Sequence, residues 1–345
     1  MRTCGHRFHF TPIWLAGLCL AACVAQPTAS APAEVTRLVE VTAPPRVIRI
    51  AYSSEADFGD LPSLMALDLL AAQGYAVLPI NFAEVAIAVE ALSQGDADIG
   101  MGNMNSYWTA MGQGAQVVTV MEQVANLWQI FASVDVQECA NLDGSRFAVS
   151  SEATANARMA DVYIAQNCPE TERQIVLIQG SQNRAAALLA GEIDATTIEL
   201  ADAIELGLSA PGRFHTLSNF GQDLPGLKGS GVHVNRDFAA QHPEAVRDYL
   251  AAVLTIHRQV RQDHDLLIAE ATRRLDIEAD ALPAITEAYF AINAWDVNGG
   301  LTEADVKFTL DFFTDIGDLD AGLTVSDVAD LSYVTAALDE SGRQE

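Results

Sequence analysis

Lysine is almost missing from this 345-residue chain, occurring only as Lys228 and Lys307, and the 19 Lys+Arg face 46 Asp+Glu for a net charge of -27. That balance opposes the phosphate attraction behind most non-specific nucleic-acid binding. It also excludes attachment to anionic lipid through a basic patch. Cysteine is scarce, with five residues, no Cys-x-x-Cys and no zinc spacing. There is no Gly-x-Ser-x-Gly elbow, no His-Glu-x-x-His and no Walker loop. The chain therefore reads as neither an enzyme nor the holder of a metal or cofactor. What is present is apolar: half the residues are hydrophobic and 19% are charged. Single cores stop growing near about 250 to 300 residues, so this much apolar material implies two lobes or domains. The acids are dispersed among apolar segments, which excludes wholesale disorder.

Residues 1–22 contain Arg2 and Arg7 and no acid, and their strongest apolar stretch, Ile13 to Ala22, is shorter than the about 20 residues a bilayer span needs. This reads as a secretory signal peptide. It ends in Leu20-Ala21-Ala22-Cys23, which resembles the lipobox of bacterial lipoproteins, where the cysteine is lipidated. Residues 23–45, with Pro27, Pro32, Pro44 and Pro45, then read as an extended tether. Removing residues 1–22 leaves 17 Lys+Arg against 46 Asp+Glu, a net of -29. Cys139 and Cys168 remain after processing, in a compartment that permits disulfides. They flank one apparent strand and helix, so they form either a disulfide or two buried free thiols.

The chain repeats itself once. Arg49-Ile50-Ala51-Tyr52-Ser53-Ser54-Glu55-Ala56 is echoed 97 residues later by Arg146-Phe147-Ala148-Val149-Ser150-Ser151-Glu152-Ala153. Ala91-Leu92-Ser93-Gln94-Gly95-Asp96-Ala97-Asp98 is echoed 96 residues later by Ala187-Leu188-Leu189-Ala190-Gly191-Glu192-Ile193-Asp194. Both units read strand, helix, strand, helix ending at Gly, strand. Such alternation predicts parallel sheets covered on both faces, with ligands outside the carboxyl ends of the strands. From His242-Pro243-Glu244 onward the pattern is helical, with a capping box expected at Thr302 and Asp305. Asp296-Val297-Asn298-Gly299-Gly300 lacks EF-hand spacing and reads as a turn. His257 and His264 read as residues of a solvated helix face.

The tether, the duplicated unit, the Gly-turn repeat and Asn235-Arg236-Asp237-Phe238 leading into His242-Pro243-Glu244 together resemble a known family over about residues 46–316. It is the periplasmic-binding-protein-like family of ABC-importer receptors for sulfonates, taurine, nitrate and thiamine pyrimidines. The resemblance implies an α/β, two-lobed fold of type II, each lobe an open, mostly parallel sheet flanked by helices. Two crossing strands near Phe131 to Val134 and Ser230 to Val234 would form the hinge. Lobe one would comprise 46–134 and 230–338 with a helical C-terminal extension, and lobe two 135–229. It further implies a monomer, lipid-anchored on the extracytoplasmic face of the cell membrane, that captures a small molecule and delivers it to permease and ATPase subunits.

Ser53, Ser54 and Glu55 are expected to line lobe one, and Ser150, Ser151 and Thr154 lobe two, with helix capping as the alternative role. Asn103, Asn105 and Trp108 follow the third strand; Trp128 lies near the hinge, and Glu199 ends the matching strand of lobe two. Core packing is the alternative for the tryptophans and a surface position for Glu199. Glu55, Asp57, Glu152 and Glu199 near the cleft would oppose an anion. A neutral heterocycle with hydrogen-bond donors suits these groups better, riboflavin first and a thiamine pyrimidine second; a sulfonate, taurine or nitrate receptor is the alternative. A ligand sensor for a signalling protein is the alternative of another class.

Overall fold

A computed structural model describes residues 46–53, 55–224 and 226–344, all within the compact unit Pro44–Glu345. The signal segment 1–22, the tether and Cys23, and Ser54 lie outside the described residues.

The first repeat forms β1 (Arg46–Tyr52), α1 (Leu61–Ala72), β2 (Tyr75–Asn81), α2 (Val85–Gln94), β3 (Ile99–Asn103), α3 (Met104–Gly112) and β4 (Val117–Glu122). The chain then enters β5 (Trp128–Ser133), and the second repeat follows as β6 (Arg146–Val149), α4 (Ala155–Asn167), β7 (Gln174–Leu177), α5 (Ser181–Ala190), β8 (Ala195–Glu199), α6 (Leu200–Ser209) and β9 (Phe214–Asn219). A short α7 (Phe220–Asp223) leads back to β10 (Ser230–Asn235). The remainder is helical: α8 (Arg236–Gln241), α9 (Pro243–Gln262), α10 (His264–Arg274), α11 (Leu282–Ala291), α12 (Glu303–Asp315), α13 (Val325–Val328) and α14 (Ser332–Ser341).

Two five-stranded sheets result, ordered β2-β1-β3-β10-β4 and β7-β6-β8-β5-β9. They are mostly parallel, as expected, with one antiparallel strand in each: β10 and β5 run against both of their neighbours. The reason is the route of the chain. Each of these strands arrives from the other sheet and enters at the cleft edge, where the parallel strands end. All of β5 lies in the second sheet and all of β10 in the first, so the chain passes between sheets at 123–127 and 220–229 rather than near Phe131–Val134 and Ser230–Val234.

The sequence echoes mark one interaction made twice. In lobe one the Asp98 carboxylate accepts from the backbone N–H of Arg49 (2.7 Å), its Nε (3.1 Å) and its Nη2 (2.6 Å). In lobe two Asp194 accepts the same three donors of Arg146 at 2.8, 3.0 and 2.6 Å. Gly95 and Gly191 end α2 and α5 at φ 77° and 72°, the left-handed geometry that turns the chain toward these aspartates. Each clasp fixes where the third strand begins relative to the first.

Cys139 and Cys168 are joined in a disulfide with their Cα atoms 5.8 Å apart, tying the start of the second repeat to the end of α4. The Thr302 capping box forms, and Asp296 accepts from Asn298 N–H in the turn before it. His257 departs from the reading of a solvated face: it is buried, its Nδ1 2.9 Å from the Asp296 carbonyl. The helix α9 is covered by both α1 and α14, so its inward face is wider than one stripe. No described helix is long and apolar enough to cross a membrane.

The Asp98 side chain is 6% exposed and that of Asp194 32%. Asp98→Asn should therefore cost about 2 kcal/mol of stability, and Asp194→Asn distinctly less. Urea midpoints measure both; equal shifts would contradict the assignment.

Candidate ligand-binding site

The carboxyl edges of the two sheets face one another, and each presents polar groups held by its own strands. In lobe one, Asp60 N-terminal to α1 accepts from Gln123 Nε2 (2.5 Å), and Gln123 Oε1 accepts from Ser230 Oγ (2.8 Å). Below them a buried relay sets the end of β3. Trp108 Nε1 donates to Thr119 Oγ1 (2.9 Å), Thr119 Oγ1 lies 2.9 Å from His233 Nδ1, and His233 Nε2 meets the Gly102 carbonyl at 3.2 Å. Burial lowers the His233 pKa to about 3, so the ring is neutral; its Nε2–H donates and its Nδ1 accepts. Gly102 has φ 150°, and a Cβ there would stand 2.7 Å from Ser53 Oγ.

In lobe two Glu199 is buried and caps α6 by accepting from Ala201 N–H (3.0 Å). Arg184 on α5 is 1% exposed. Its Nε donates to the Thr197 carbonyl (2.8 Å), its Nη1 to that of Ile178 (3.1 Å), and its guanidinium carbon lies 5.7 Å from the centre of the Trp128 ring. Its buried Nη2 has no hydrogen-bond partner among the described residues.

The lobes meet through side chains that the C-terminal helices supply. Tyr289 of α11 is packed against Phe58 and Trp295 of the lobe-one side, with ring centres 4.8 and 5.2 Å away, and its hydroxyl donates to Glu199 Oε1 across the cleft. At the other flank Asp318 accepts from Arg158 Nε (2.7 Å) of lobe two and Asn105 Nδ2 (3.3 Å) of lobe one. Asn105 Nδ2 also reaches the Ala153 carbonyl (3.3 Å). Neither α3 nor α4 has a side-chain cap on its N-terminus.

Three carboxyl groups from both lobes are thereby brought together. Burial, then the charges of Asp57 and Asp202, pushes Glu199 well above the usual carboxylate range. Burial likewise raises Asp57, and Asp202 to about 6. These are acids that protonation, or a donor-rich ligand, would satisfy.

The structure brings Ser53, Asn103, Asn105, Trp128, Ser150, Ser151, Thr154 and Glu199 to the facing edges. Two differ from expectation. Trp108 is wholly buried, its N–H spent on Thr119, because α3 turns it onto the sheet; Glu55 is exposed to solvent. Thr154 stands at the N-cap of α4 but its hydroxyl bonds Ser151 O and Asn156 Oδ1 rather than a helix N–H. The sequence reading missed Arg184, Asp202, Gln123 and Tyr289. Only Arg184 left a local sign, a charge on the face of α5 that carries Ala187 and Leu188 inward.

Over residues 70–257 the chain matches the NMT1/THI5-like family, and it belongs to that family. No curated protein sequence matches it. Among solved structures it is similar to the ligand-binding component of an ABC-type import system from Staphylococcus aureus, with a TM-score of 0.68, 13% identity and coverage of 85% of this chain and 99% of that one. It is also similar to the alkanesulfonate-binding protein SsuA of Xanthomonas axonopodis pv. citri (TM-score 0.62, 19% identity, 83% and 99% covered) and to the desulfurization enzyme DSZB (TM-score 0.61, 15% identity, 85% and 99% covered). At such identities these similarities establish the two-lobed α/β fold of periplasmic binding proteins.

Glu199 gives a pH test. A carboxyl whose folded pKa is raised supports the fold fully below its unfolded value and loses that support as pH rises through the folded one. Stability should fall as pH rises above about 4.5, the ordinary glutamate range. Glu199→Gln, neutral at every pH, should flatten that fall in thermal melts; an unchanged slope would contradict the assignment.

Proposed function

We propose that this chain is the extracytoplasmic substrate-binding component of an ABC importer, held to the membrane by a lipid on Cys23 and doing no chemistry on its ligand. The observation that carries the reading is the meeting of two sheet edges, bridged by Tyr289 to Glu199 and by Asp318 to Arg158. A ligand that touches both edges stabilises the closed arrangement and not the open one, so binding shifts the population toward closure. The closed form is then what a permease receives. Family membership and the fold shared with an ABC import component support this reading. The fold is also shared with a desulfurization enzyme, and a test for turnover of the bound ligand separates the two roles.

The ligand we infer is a small flat heterocycle rich in donors, of the riboflavin or thiamine-pyrimidine kind. Asp57, Glu199 and Asp202 would accept its N–H and O–H groups, and the half-buried Trp128 ring would cover its face.

Thermal shift and tryptophan quenching with riboflavin, 4-amino-5-hydroxymethyl-2-methylpyrimidine, taurine and nitrate test the ligand. One of the two heterocycles should stabilise the protein at micromolar concentration; a response to taurine or nitrate alone would overturn the heterocycle assignment. Cys23→Ala should release the protein from the membrane fraction, and retention there would contradict the anchor.

A further inference from the structure

We propose that Glu122 and Lys228 form a proton-responsive anchor for the two crossing segments: a proton held at this pair keeps the segments together, and its loss frees them. The link from this anchor to ligand capture rests on the reading that the lobes close about those segments.

Glu122 is the last residue of β4, directly before the crossing at 123–127, and Lys228 lies in the second crossing, just before β10. Lys228 Nζ donates to Glu122 Oε2 (3.0 Å), with the glutamate side chain 6% exposed and the lysine 20%. The C-terminal layer holds the backbone of both. Glu122 N–H donates to the Gly299 carbonyl (3.1 Å), and Lys228 N–H donates to Thr309 Oγ1 of α12 (3.0 Å). Gln123 N–H in turn donates to the Ser230 carbonyl (3.2 Å), so both crossings leave lobe one at one point. Gly300, with φ 64°, makes the space for the carboxyl group; a Cβ there would collide with Glu122 Oε2.

This pair is only half satisfied. An ionised carboxylate accepts on two oxygens, and the point charge of lysine reaches one of them: Oε1 is buried with no hydrogen-bond partner among the described residues. Buried ion pairs hold a fold together no better than apolar residues of the same volume, so cohesion alone does not account for this one. Burial raises the Glu122 pKa to about 7; Lys228 opposes the rise, and Asp296 in the turn before α12 and Asp305 on α12 add to it. From β10 the residue opposite Glu122 is Gly231, which brings no charge. The joined segments therefore favour a neutral Glu122, whereas parting them hydrates the group and returns it to the ordinary range near 4.5. A carboxyl whose pKa is higher in the joined state supports joining fully below 4.5 and loses that support as pH rises toward 7, beyond which no more is lost. Acid tightens the hinge, and neutral solution loosens it.

Hydrogen exchange of the whole protein without ligand reads this anchor at the amides of Glu122, Gln123 and Lys228, once rates are corrected for the intrinsic pH dependence of exchange. Protection there should fall as pH rises from about 5 to 7, by up to about ten-fold per pH unit for one proton, and level off above about 7. Glu122→Gln should remove that fall, with the amides of β6 and β8 behaving as in the native protein. Lys228→Met takes away the charge that lowers Glu122 and should move the levelling to higher pH. Protection independent of pH in the native protein would overturn the proposal, whether or not the variants fold. A fall that persists in Glu122→Gln would also overturn it and would point to Asp60, which accepts from Gln123 Nε2 and is likewise raised by burial. An unmoved levelling pH in Lys228→Met would overturn it as well. Because no ligand is present, each of these outcomes leaves the importer reading where it stands.

Discussion

The guanidinium–carboxylate clasp at the foot of each sheet is the constraint on which the cleft depends. Arg49 with Asp98, and Arg146 with Asp194, tie the first strand of each repeat to the turn that opens its third. Beyond the clasp the paired strands run similar distances, Arg49–Tyr52 beside Ile99–Asn103 and Arg146–Val149 beside Ala195–Glu199, so pinning them there aligns the carboxyl ends. Those ends carry Ser53, Asn103 and Glu199. The clasps lie at the other ends of the strands from these residues and hold each sheet's carboxyl edge in register.

Between those edges, electrostatics and closure are the same problem. In the arrangement described, burial raises Asp57, Glu199 and Asp202, so each resists ionisation there. The C-terminal helices take part directly, since Tyr289 is fixed by Phe58 and Trp295 on one side and bonded to Glu199 on the other. What the sequence presents as a helical extension of lobe one is, in three dimensions, part of the jaw that meets lobe two.

The repeat, its glycine turns and the Thr302 cap were legible because each rests on a local pattern, whereas the choice between a Cys139–Cys168 disulfide and two free thiols was made only by the structure. The ends of the strands were legible too, which is why Glu199 and Trp128 were placed at them. Trp108 misled because a residue just after a strand shares the sequence neighbourhood of the cleft whichever way its helix turns it. Tyr289 lies 90 residues from Glu199, and Gln123 lies 63 from Asp60 and 107 from Ser230; no periodicity joins them. The crossing points were displaced for a related reason. A strand that changes sheets has the same apolar pattern as one that stays, so only pairing shows where it belongs.

The central claim is that two lobes close on a ligand held at both sheet edges. Small-angle X-ray scattering of the protein, titrated with whichever heterocycle or oxyanion it binds, measures this most directly. The account predicts a smaller maximum dimension and radius of gyration at saturation, with the change reduced in Tyr289→Phe. Superimposable curves with and without a bound ligand would contradict it.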